Sequence, residues 1–141
     1  MSDGQLLAAG LLARMAATAS RRVPAPWDRA SLSESVVVNV RRMLETRLGS
    51  ARCQPDFGTP APAELAYGYP ASADRFRCAL ARCLARYEPR LQNPRVAFVE
   101  TPGDELVAHL RISGVLQVGE IKSIMSIEVA IDGAGHLEVR G

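Results

Sequence analysis

The period of the hydrophobic pattern changes once along this chain, and that change limits what it can fold into. Phe76, Leu80, Cys83, Leu84 and Tyr87 stand at i, i+4, i+7, i+8 and i+11, the spacing of one helical face. Beyond Pro94 the period is two. Residues 95–100 read RVAFVE, Leu106, Ala108, Leu110 and Ile112 alternate, and so do Met125, Ile127, Val129 and Ile131. Asp132-Gly133 then marks a turn, after which Leu137 and Val139 return. A helical front half followed by four strands predicts an α+β fold, with two or three helices packed on a mainly antiparallel sheet.

Two further segments complete the helical half. In SLSESVVVNVRRMLETRLG, Ser31 and Glu34 have the spacing of a capping box. Val36, Val40, Met43, Leu44 and Leu48 make the apolar stripe there, and Gly49 suits a C-terminal cap. A helix is expected over 72–87, ended by Pro89. Between the two helices, SARCQPDFGTPAPAELAYGYP has four prolines and reads as loop, long enough to suggest function.

Before residue 30 the chain carries RRVPAPWDR, whose two prolines make a stiff extended linker. The apolar stretch ahead of it has Leu7, Leu11 and Met15 on one stripe, with Arg14 off it. It lacks a basic start and is shorter than the roughly 20 residues that span a bilayer, so it reads as an amphipathic arm rather than a signal peptide. The expected organisation is an arm and linker over 1–29 and a folded domain over 30–141.

Composition narrows the function. Hydrophobic residues are 48% of the chain, enough for a core, while aromatics at 5% supply little for stacking on bases or sugars. A net charge of +2 argues for neither nucleic acid nor membrane as partner. That charge is uneven: residues 1–95 hold 14 arginines against 8 acids, and residues 96–141 hold 3 basic residues against 7 acids. Two faces meeting different neighbours would explain this, and so would the general preference for arginine in a chain whose only lysine is Lys122. Cys53, Cys78 and Cys83 are odd in number, and the last two stand about 140° apart on a helix, so they read as reduced thiols rather than metal ligands.

No nucleophile elbow, zinc-helix motif or phosphate-binding glycine loop occurs. His109 and His136 lie opposite their strands' apolar residues and read as solvated positions. A hydrolase would need two carboxylates across a sugar site, and nothing pairs any two of Glu45, Asp56, Glu64 and Glu88. No catalytic residue, metal ligand or cofactor is assigned. What remains is Glu88-Pro89-Arg90, an acid and a base either side of a rigid corner. Both follow the last apolar helical position, so neither is expected in the core. Two readings stand open: an exposed ion pair worth about 0–1 kcal/mol, or a fixed surface offered to another chain.

Several stretches together resemble a known family, the small baseplate wedge proteins of contractile machines, called "lysozyme-like" in phages. YEPRL at 87–91 is similar to the family's Glu-Pro-Arg motif after a helix, and SVVVNVRRMLETRLGS at 35–50 to its preceding helix. PDFGTP at 55–60 is similar to its aromatic-Gly-x-Pro loop, and the strand-rich end to its closing sheet. Within the family the chain is most similar to the TssE-type subunits of type VI secretion baseplates. The resemblance implies a cytoplasmic structural subunit, not an enzyme, that joins larger baseplate proteins in a wedge. It implies that Glu88, Pro89 and Arg90 bind those proteins, and that a sheet edge receives sheath subunits and seeds the sheath. The same fold in a phage tail or extracellular contractile particle is the alternative, and a peptidoglycan hydrolase a more distant one.

Overall fold

The computed structural model describes residues 29–101, 103 and 108–141. Residues 1–28 of the expected arm and linker, and Leu106 at the start of the second expected strand, lie outside the described residues. Among the described residues three helices precede four strands: α1 (Arg29–Glu45), α2 (Pro62–Gly68), α3 (Ala73–Tyr87), β1 (Leu91–Val99), β2 (Ala108–Val118), β3 (Ile121–Ile131) and β4 (Leu137–Arg140). The α+β reading holds, and the strands form one antiparallel meander in the order β1-β2-β3-β4.

α1 buries Leu32, Val36, Val40, Met43 and Leu44, as its periodicity requires. Both ends differ from expectation. Arg29 and Ala30 are already helical, so Ser31 sits inside the helix and the capping box does not form. The helix stops at Glu45, four residues short of Gly49, because the chain is drawn sideways into a bridge between Arg47 and Thr59. The Leu48 amide donates to Thr59 O at 2.9 Å and the Thr59 amide to Thr46 O at 3.0 Å. Leu48 therefore stays exposed and leaves the apolar stripe. Gly58 permits this contact: its φ is +108°, and a Cβ there would stand 2.3 Å from Thr46 O.

The segment expected to be loop contains α2. Seven residues are too few to display a period, but Pro62 at the first turn and Glu64 beside it are start signals. α3 buries Phe76, Leu80, Cys83 and Leu84. The Cys83 thiol accepts the Gly58 amide at 3.4 Å, and burial pushes its pKa up. The three cysteines are free thiols, Cys53 and Cys78 exposed.

One sheet face carries the core: Leu91, Val96, Leu110, Ile112, Leu116, Met125, Ile127, Val129, Ile131 and Val139. α3 lies against β1, and α1 against β3 and β4. β1 begins at Leu91, four residues earlier than its alternation suggests. Leu91 and Val96 are an odd number of positions apart, so simple alternation would put them on opposite faces. A bulge at Asn93-Pro94 restores the phase: Gln92 faces Val115 and Arg95 faces Ser113, leaving only Gly114 opposite both bulge residues. Asn93 has φ +50°. A Cβ on Gly114 would come within 2.8 Å of Leu91 Cδ1 and 2.9 Å of Gln92 O.

Candidate functional site

α3 runs out at Tyr87, and the Glu88 amide still donates to Leu84 O at 3.0 Å. Glu88 then leaves helical geometry, with φ −127° and ψ 73°, as a residue before proline must. The Leu91 amide donates to Glu88 O at 3.2 Å, closing the turn, and Gln117 N donates to Arg90 O at 2.8 Å, tying it to β2. The corner is thus fixed between the end of a helix and the start of an edge strand.

The expectation that Glu88 stays outside the core is wrong. Its side chain is 1% exposed, while Arg90 is 31% exposed and Pro89 faces solvent. The turn folds the carboxylate inward, under α1, where three N–H donors meet it. Arg90 Nε donates to Oε1 at 2.8 Å, Arg90 Nη2 to Oε2 at 2.9 Å, and Asn39 Nδ2 to Oε2 at 2.8 Å. Burying a carboxylate without such partners is prohibitively costly; with two guanidinium bonds and an amide it becomes tolerable. Arg90 Nη1 also donates to Ser35 Oγ at 2.9 Å. The hydrogen bonds to Glu88, aided by its charge, hold the guanidinium pKa above its ordinary value despite partial burial.

The structure therefore unites the three predicted residues with two that sequence reasoning missed, Ser35 and Asn39 of α1. A signal for Asn39 was present: it interrupts SVVVNV, a run otherwise apolar after its serine, beside the buried stripe. An amide at that place implies a polar partner inside the fold. Asn39 Nδ2 also approaches Tyr87 O at 3.4 Å, so α1 grips the end of α3 as well as the acid. Tyr87 meets Phe57 edge-on, with ring centroids 5.2 Å apart, which anchors the Phe-Gly loop to the same corner.

The remaining candidates are dispersed. Asp56 pairs with Arg86, and Glu64 with Arg47 at 3.3 Å. With Glu88 held by Arg90, three of the four acids considered for hydrolysis are each occupied by a separate arginine. His136 is not in a strand. It lies in the β3–β4 turn, where Asp132 Oδ1 accepts the amides of Ala134 and His136 at 2.9 and 2.8 Å and Oδ2 meets His136 Nδ1 at 2.9 Å. These bonds, the His136 amide first, hold the Asp132 carboxyl below its usual pKa. His109 is half-buried on β2. Among the described residues, no group of three or more His, Cys, Asp or Glu side chains could hold a metal ion, and no helix is long and apolar enough to cross a membrane.

Residues 30–120 match the family model described as baseplate wedge protein gp25. Among solved structures, the chain is similar to one in "The baseplate complex from the type VI secretion system", with TM-score 0.57 and 24% identity over 73% of this chain and 96% of that one. No curated protein matches. At that identity the structural likeness speaks to the fold, and the family match to descent.

Proposed function

The chain belongs to the baseplate wedge protein gp25 family, and from that premise we propose that it is a non-enzymatic, cytoplasmic subunit of a type VI secretion baseplate wedge. The observation that carries this is the Glu88-Pro89-Arg90 corner. It lies inside the matched region and is held rigid from α1, α3 and β2, with Pro89 and part of Arg90 left outside. A polar feature so tightly positioned is suited to docking on larger wedge proteins, with Glu88 acting as the group that sets Arg90 rather than as a contact itself. The pairing of Asp56, Glu64 and Glu88 with separate arginines supports a structural role over hydrolysis.

The sheet supplies the means of reaching the sheath. β4 pairs only with Glu128–Ile131, so among the described residues Ile121–Ile127 of β3 have no strand on that side. The opposite edge, β1, carries the bulge and Pro94, features that blunt an edge against pairing. An extended segment of a sheath subunit adding to β3 would complete its backbone hydrogen bonds. Affinity purification of the tagged chain from its native cell tests the proposal. Large baseplate proteins and sheath subunits should co-purify. Phage-tail proteins in their place would move the assignment to a phage-like particle, and peptidoglycan cleavage by the pure protein would overturn the structural reading.

A further inference from the structure

We propose that the group docking on this corner is a neutral main-chain carbonyl of the partner, not a carboxylate; this rests on the reading of the corner as the docking site. A guanidinium has five N–H donors. In Arg90, Nε and one donor of Nη2 serve Glu88, and one donor of Nη1 serves Ser35. Two donors remain, one on each terminal nitrogen, on a side chain 31% exposed. They can be shared with a partner, but the charge cannot. Glu88 already matches it, lies 1% exposed, and is held from behind by Asn39, so it has no route to retreat. A second carboxylate would have to share one guanidinium with the first, and the two negative charges would repel across it. A carbonyl oxygen takes the same N–H groups with no such repulsion. Exposed Pro89 alongside lacks an N–H that would compete for that oxygen.

The neighbourhood separates the two chemistries. Arg42 follows Ser35 on the same stripe of α1, two turns or about 10 Å along the axis. Among the described residues no acid pairs with it. A partner carboxylate would find there an arginine that none of the described acids compensates, and a compensated one at Arg90.

The test uses the full chain and the large wedge subunits that co-purify with it, with Kd measured at low and high salt. Val38→Glu places a carboxylate three residues along α1 from Ser35, at a position 54% exposed and outside the corner's hydrogen bonds, so the fold is retained. If the partner offers carbonyls, binding stays within about threefold of wild type at both salts, because a neutral acceptor is indifferent to the added charge. If it offers a carboxylate, binding falls by about tenfold or more at low salt and recovers at high salt, and the proposal is overturned. Arg90→Lys keeps the charge and removes the planar fork. It should weaken binding about tenfold, equally at both salts. A loss that shrinks at high salt also overturns the carbonyl assignment. An Arg90→Lys protein that melts normally and binds like wild type refutes something different, the corner's role in docking altogether.

Discussion

Arg90→Ala is the perturbation whose consequence the structure states most sharply. It removes two of the three hydrogen bonds received by a carboxylate that is 1% exposed. Asn39 alone remains, and an amide cannot neutralise the charge. Breaking a fully buried ion pair by deleting one member costs about 3–5 kcal/mol. Arg90 is 31% exposed, so water entering the vacated space can replace part of what is lost, and about 2–4 kcal/mol is the appropriate range. Glu88→Gln should cost less, about 1–2 kcal/mol, since the stranded partner is then an arginine that already reaches water. The asymmetry is the test. Denaturant unfolding of both single variants and the double variant yields the two costs and their coupling, expected at about 1–3 kcal/mol. An Arg90→Ala protein within about 0.5 kcal/mol of wild type, or one less affected than Glu88→Gln, would refute the claim that Arg90 sustains a buried charge.

Three further outcomes follow from separate parts of the molecule. Gly58→Ala sets a Cβ 2.3 Å from Thr46 O at a φ of +108°, so it should cost about 2–4 kcal/mol in a melt, against about 1 kcal/mol for Gly49→Ala, which meets nothing within 4 Å. Ile124→Lys, at a position 87% exposed, should leave stability within about 0.5 kcal/mol of wild type yet reduce sheath co-purification, because lysine on an edge opposes strand addition. The Asp132 carboxyl titrates below its unfolded value, so its contribution is complete above ordinary carboxylate pH and is lost as pH falls through the lower folded value. Asp132→Asn should therefore flatten the acid limb of a stability-against-pH curve, and an unchanged limb would show that the turn does not depend on the ionised form.

How much of this was legible beforehand depended on the range of the interactions involved. α3 and the inner faces of β2 and β3 were visible because a period repeated over many residues is a local signal with its own redundancy. α2 was invisible to that method, since seven residues hold too few repeats. The end of α1 was misplaced because Gly49 offers a good local stop, while the real one comes from Thr59, a partner 13 positions beyond Thr46. The early start of β1 was hidden by the bulge, whose extra residue inverts the alternation and requires Gly114 on the neighbouring strand.

The corner divides along the same line. Sequence alone determined that a helix ends at Tyr87, that Pro89 makes the turn rigid, and that an acid and a base flank it, since each follows from bonded geometry and near neighbours. Only the tertiary structure decided that the acid points inward. That outcome depends on Asn39 and Ser35, about 50 residues away, arriving on α1 with a donor for the carboxylate and an acceptor for the arginine. A carboxylate goes where its hydrogen bonds are satisfied, and those partners are known only once the helices have packed.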